Sequence, residues 1–305
     1  GRQLAITGRQ LAITQRKSLV YNDFKEGKIM EKKYSLEVYG LVLKYPPLAS
    51  KRVEKKEYLY DRGVVEIWNP LVHARPWKLF LYCLWAGEVV GETGEIVRLR
   101  LEENSGIYLG FKSMKEISNA VKRLAGVVYS HRHDGGELIF HVLEKAEYKA
   151  SERKFYLDVP KVFYQLCQEE GLRLYIPFLL QFESRAEVGL FTFLSTRSAT
   201  RENFKVLTLA ERAGFDTTRP IKALSYDLIA PLNSLKEIGF IKDFVRDKEY
   251  ILIEHQPKET LRIRAIELKR ELDERFEELK AKARENMRRY RQKKKNKTEE
   301  YNFPF

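Results

Sequence analysis

The stretch from Leu207 to Gln256, LTLAERAGFDTTRPIKALSYDLIAPLNSLKEIGFIKDFVRDKEYILIEHQ, constrains this chain more than any other. Its hydrophobic spacing changes from helical to alternating part-way along. LAERAG reads as a short helix capped by Thr208. Gly214 supplies the positive-φ residue that a tight turn between helices needs. Thr218 is placed to cap the next helix, with Pro220 in its first turn. Ile221, Leu224 and Leu228 fall on one face of it, while Arg219, Lys222 and Tyr226 share the opposite face. Pro231 lies inside the same run and should kink or split the helix after Ala230. Gly239 stops the run, and FIKDF and YILIEH read as strands around a charged tip, VRDKE. Two helices around a tight turn, closed by a β-hairpin, form a helix-turn-helix with a wing.

A similar plan is legible upstream. PWKLFLYCLWAG (76–87) reads as a buried helix from Pro76 to its stop at Gly87. EIVRLRLEE (95–103) alternates Val97, Leu99 and Leu101 with Arg98 and Arg100, as a half-buried strand does. In SMKEISNAVKRLAG (113–126), Met114, Ile117, Val121 and Leu124 make one apolar helix face. Ser113 and Glu116 have capping-box spacing there, and Gly126 ends the helix. A hairpin turning at Asp134–Gly136 and a further strand follow. Between the blocks, VPKVFYQLCQEEG (159–171) reads as a helix, LRLYIPFLLQF (172–182) as a strand and RAEVGLFTFLSTR (185–197) as a helix. The expected fold class is α+β: two tandem winged-helix domains with a long basic C-terminal helix. The expected boundaries are 1–57 for a disordered extension and linker, with KYPPLASKRVEKK (44–56) as its polar end, then 58–157, 158–255 and 256–305.

The last segment carries no glycine from 256 to 297. Leu261, Ala265, Leu268, Leu272, Phe276, Leu279, Ala283, Met287 and Tyr290 cover 29 residues in eight intervals. That spacing is close to the roughly 3.6 residues of a straight helical turn. Within 284–297 there are eight Lys or Arg and one Glu, in a chain whose formal charge is +13. A chain this basic meets a polyanion, and such a block acts as an arm for one.

The residues expected to touch duplex DNA follow from these faces. In the second block they are Thr217, Thr218, Arg219, Lys222, Ser225 and Tyr226, with Arg246 and Lys248 on the wing. In the first they are Lys112, Ser113, Lys115, Ser118, Asn119, Lys122 and Arg123, with Arg132 on the wing. The tail adds Arg284, Arg288, Arg289 and Arg291. His131, His133 and Asp134 sit at a turn and supply too few ligands for a metal; a wing tip near phosphate is the better reading. Neither G-x-x-x-x-G-K-[ST] nor G-x-G-x-x-G occurs. No Ser/His/Asp order points to a hydrolase, so no enzyme and no cofactor is expected. Cys83 and Cys167 have apolar neighbours and read as buried thiols. No apolar run approaches the roughly 18 residues of a membrane span, and a reducing cytoplasm is expected.

KFYLDVPKVFYQLCQEEGLRLYIPFLLQFESRAEVGLFTFL, followed by the second helix-turn-helix and its wing, resembles the tandem winged-helix initiators of theta-type plasmid replication. The resemblance covers roughly 75–255 and rests on element order more than on an invariant motif. It implies that both winged helices contact directly repeated origin sites (iterons) in double-stranded DNA. It implies recruitment of the host replicative helicase and initiator without catalysis. It also implies a homodimer through the linking helix and first domain. The basic C-terminal helix, Pro231 and the N-terminal extension depart from the pattern, and the first of these puts the dimer mode in doubt. The rival readings are a winged-helix transcriptional regulator on a palindrome, a metal-dependent rolling-circle nickase and a DNA-coating protein.

The chain opens with GRQLAIT twice in tandem. Each copy corresponds to 21 base pairs, two turns of B-DNA at about 10.5 base pairs each, which sets successive sites on one face of the duplex. The expectation is that the repeat is translated iteron DNA upstream of a start at Met30. A cloning scar is the competing reading, and a functional protein repeat is disfavoured because two short copies cannot form a solenoid.

Overall fold

The computed structural model describes residues 34–60, 63–102, 109–111, 113–133 and 135–300, excluding the side chains of Ala283, Met287, Tyr290, Arg291 and those after Gln292. The opening repeat, Met30, Lys112, Asp134 and the Arg291 side chain lie outside it. The fold is mixed α and β and ends in a long helix.

The first elements are β1 (Ser35–Tyr39) and α1 (Gly40–Lys44), then β2 (Lys55–Tyr60) and β3 (Gly63–Trp68). They correct the expectation of a disordered linker before Tyr58. Val38, Val42, Leu43 and Leu48 are fully buried, so this segment belongs to the core. The sequence masked that because its apolar residues change period at Gly40, from alternation to a continuous run that Pro46 and Pro47 then break. Helix α2 (Ala74–Ala86) puts Trp77, Phe80 and Leu81 into the centre of the block. Then come β4 (Glu88–Thr93), β5 (Ile96–Glu102) and α3 (Met114–Leu124). The Ser113 hydroxyl accepts from the Glu116 amide, as its spacing predicts. After α3 come β6 (Val128–His133), β7 (Gly136–His141), β8 (Lys145–Lys149) and β9 (Lys154–Pro160). Two antiparallel sheets result, in the orders β2-β3-β6-β7 and β4-β5-β9-β8.

The linking segment holds α4 (Lys161–Glu169), β10 (Gly171–Tyr175) and α5 (Ile176–Gln181). Strand β10 pairs antiparallel with β1. The run LYIPFLLQF is therefore not one strand: it becomes helical at Ile176. Ile176 to Leu180 are all buried, so neither period shows, and Pro177 sits in the first turn, where a missing amide costs nothing.

The second block runs α6 (Arg185–Leu194), β11 (Arg201–Lys205), α7 (Val206–Arg212), α8 (Ile221–Asp227), α9 (Ile229–Glu237), β12 (Ile241–Asp247) and β13 (Tyr250–His255). Its three strands pair antiparallel in the order β11-β13-β12. Ser184 and Glu187 form a full capping box at the start of α6. Gly214 has φ of +73° at the turn after α7. Leu224 and Leu228 are fully buried, as their face predicts. Three local expectations are corrected. Thr208 lies inside α7, which starts at Val206 beside the strand that feeds it. Thr218 donates to Asp216, and Pro220 takes the N-cap position of α8. The helix break falls at Leu228, which places Pro231 in the first turn of α9, where no intrahelical acceptor is needed.

Helix α10 (Lys258–Glu300) closes the molecule. Ala265, Leu268, Leu272 and Phe276 are buried against the body, with α5 as its main neighbour. Cys83 and Cys167 are buried free thiols. The two blocks lock together through cations of the second. Arg212 is 7% exposed and lies between the rings of Tyr45 and Tyr58, at 4.5 and 4.3 Å. Arg185 Nη1 donates to Ala49 O and Val72 O. In return, Lys56 Nζ donates to Leu48 O and Glu211 O. Among the described residues, no helix is long and apolar enough to cross a membrane.

Candidate nucleic-acid interface

The exposed side of α8 and the β12–β13 hairpin form one continuous surface. Phe204 and Arg246 both register with Ile251, so Arg246 projects from the sheet face that packs on the helices. At the end of that face its guanidinium lies 4.2 Å from the Tyr226 ring centroid, and Tyr226 itself is half exposed. Arg246 and Lys222 together pull the Tyr226 phenol below its usual range, Arg246 more strongly. Lys222 is exposed one helical turn before Tyr226. Lys248 sits at the hairpin tip with φ of +45°, beside Glu249. The tip is thus Lys248–Glu249 alone, because the strands continue through Val245–Asp247.

Other expected contacts are placed differently. Ser225 is 2% exposed and belongs to the core side of α8; its position next to Leu224, one step round the helix, explains the misassignment. Arg219 is exposed but pairs with Asp227. Thr218 is exposed with its hydroxyl bonded to Asp216, and Thr217 is exposed beside it.

In the first block, Lys115, Ser118, Asn119, Lys122 and Arg123 are all exposed on α3, and Ser113 is exposed at its cap. They divide between two surroundings. Asn119 and Arg123 line an open cleft of about 660 Å³ together with His73, Arg75 and Arg185. Lys115, Ser118 and Lys122 lie outside that lining. Arg132 is not a free wing cation: it pairs with Glu66 at 2.6 Å and with Glu137 at 3.6 Å across the sheet. Its register partners are Val64 and Glu137, and nothing in local sequence marks Glu66 as its neighbour.

The His131 and His133 rings lie side by side, with centroids 5.1 Å apart. The His131 Nε2 is in contact with the Tyr60 hydroxyl at 2.5 Å, and the His133 Nδ1 accepts from the Gly135 amide. One nitrogen of each ring is therefore engaged by a protein group. Among the described residues no group of three or more His, Cys, Asp or Glu could hold a metal ion.

Charge along α10 changes where the helix leaves the body. From Lys258 to Lys280, seven Lys or Arg meet seven Asp or Glu. From Ala281 to Lys297, nine Lys or Arg meet one Glu. Arg284, Arg288 and Arg289 are exposed, and Arg289 pairs with Glu285. The docked half is neutral and the outer half is a polycation, an arrangement that favours contact with phosphates.

Sequence reasoning missed Arg75 and Arg185 as neighbours of the α3 face, and the reason is distance along the chain. Arg185 reaches the first block from over 100 residues away, through bonds to Ala49, Ser50 and Val72 carbonyls. No family model matches this chain, and a comparison with curated proteins finds no match.

Proposed function

We propose that the chain is a sequence-specific double-stranded DNA-binding protein that initiates plasmid replication at directly repeated sites. The observation that carries this reading is the second block. Its order is helix, strand, three helices and hairpin, and its sheet order is β11-β13-β12. We take α7 and α8 as the helix-turn-helix, α9 as its continuation and the β12–β13 hairpin as the wing. On this reading α8 enters the major groove with Lys222 and Tyr226, and Arg246 and Lys248 reach the backbone. The outer half of α10 adds sequence-independent phosphate contacts.

The first block supports the reading less directly. Helix α3 presents a polar face before a hairpin, but β3 pairs with β6 and a fourth strand, β2, is added. A second winged helix is therefore proposed on element order alone. Helicase recruitment and dimerisation rest on the resemblance stated from sequence.

Fluorescence anisotropy tests the proposal. One duplex carries tandem copies of the 21-base-pair segment that encodes GRQLAIT, and the other carries the same bases shuffled. A preference of about 10³-fold or more that persists as salt rises is expected. Equal binding that collapses with salt refutes sequence recognition. A preference for a palindrome over the direct repeat favours the transcriptional regulator instead.

A further inference from the structure

Between α2 and α10 lies a cavity of about 230 Å³ that the DNA-binding reading leaves unused. Leu180, Leu272 and Phe276 give it an apolar wall, and Arg75, Lys78 and Arg275 line it against a single carboxylate, Glu183.

Lys78 is 4% exposed. Among the described residues it makes no ion pair, and its ammonium donates to the Phe182 carbonyl. An ammonium carries three N–H donors, so this one bond leaves capacity for a ligand. Burial pushes Lys78 down to about 8, which shows how poorly its charge is compensated. Arg275 stands out in the same way. Along this part of α10, Arg262, Arg264, Lys269, Arg270 and Lys280 each pair with a carboxylate. Among the described residues Arg275 does not. Lys78 of α2 and Arg275 of α10 thus line one cavity.

We propose that this cavity binds a phosphate monoester with a flat apolar body. The phosphate lies among Lys78, Arg75 and Arg275, and the body lies against Leu272 and Phe276. Arg75 also faces Glu116, at 3.8 Å outside the lining, while among the described residues Lys78 and Arg275 have no carboxylate of their own and Glu183 is the one acid in the lining; the remaining positive excess suits a phosphate. A ligand there touches both α2 and α10, so occupancy holds the C-terminal helix on the body. This site does not depend on the DNA-binding reading, and either can fail alone.

Isothermal titration calorimetry of the full chain tests it with phenyl phosphate and adenosine 5′-monophosphate. Inorganic phosphate and adenosine are the controls. Saturable binding of at least one ester, tenfold or more tighter than of either control, is expected. A preference between the esters distinguishes a nucleotide from a smaller aryl ester, and either preference supports the site. Arg275→Glu changes an exposed residue and should weaken ester binding tenfold or more without unfolding the chain; Lys78→Met should do the same. Hydrogen exchange across 258–280 should slow when the ester is added. Three results overturn the proposal: no ester binding at millimolar concentration, inorganic phosphate binding as well as the esters, or Arg275→Glu binding unchanged.

Discussion

Arg212 sits in sequence on a short helix beside Glu211, where a solvated ion pair is the ordinary reading. In the fold it is the bolt between the blocks, packed by Tyr45 and Tyr58 of the first and Phe193 of the second. Arg212→Ala should cost about 3 kcal/mol in urea unfolding, because it leaves an aromatic-lined hole. Arg212→Met should cost less than half of that, since an apolar chain of similar length fills the space without a charge to desolvate. Lys56 is the pH-sensitive partner. Burial lowers it to about 8, with Arg212 and Arg185 acting the same way and Glu211 opposing. The unfolded chain then binds more protons than the folded one between about pH 8 and 10.5. The stability penalty of charged Lys56 is present in full below about pH 8 and fades as pH rises through that window. Lys56→Met should therefore gain stability over the parent at pH 7, by up to about 3 kcal/mol, and lose that advantage by pH 10.5. Chemical denaturation of both proteins at the two pH values checks the sign; an advantage that grows with pH would refute it. Neither Arg212 nor Lys56 could be read from sequence, because burial of a cation depends on rings and carbonyls remote in the chain.

Elements that bury one face were legible, and so were all-round buried helices long enough to carry a start and a stop, such as α2 from Pro76 to Gly87; a single buried turn was not. Helix α3 shows Ile117, Ala120 and Leu124 buried and polar residues outside, and its apolar face and cap were readable. Helix α5 is apolar through Ile176–Leu180 and was misread as a strand. Close packing between elements sets further limits. An added Cβ at Gly189 of α6 would lie 2.2 Å from the Arg212 carbonyl of α7. Gly189→Ala should force the two helices apart at a cost of about 2 kcal/mol, measurable as a lower urea midpoint. On α8 the candidate site can be dissected in DNA-binding assays. Lys222→Ala should weaken binding to the repeat more than to the shuffled duplex, because Lys222 enters the major groove, while Lys248→Ala should reduce the slope of log K against log salt by about 1. Ser225→Ala should leave that slope unchanged, because Ser225 faces the core.

At the scale of the whole molecule, the body and the outer half of α10 separate in charge and in packing. Among the described residues Phe276 is the last of α10 in the buried core, and the positive excess begins beyond it. Removal of residues 281–305 should leave thermal unfolding within about 2 °C, since no described side chain beyond Phe276 is buried. The same truncation should lower affinity for any duplex tenfold or more and flatten its salt dependence. The ratio between repeat and shuffled duplexes should stay the same, because phosphate contacts carry no sequence information. Anisotropy on the truncated chain measures all three quantities. By itself the sequence determined the one-sided helices, the final hairpin, the turn at Gly214 and the polycationic end of α10, all of which follow from local spacing and charge. Tertiary structure alone decided that residues 35–57 join the core, that β3 pairs with β6, and that Arg132 is held by Glu66. It also decided that Arg246 meets Tyr226 and that Arg212 joins the two blocks. These depend on which distant surfaces exclude water together, and a local pattern carries no record of its remote partner.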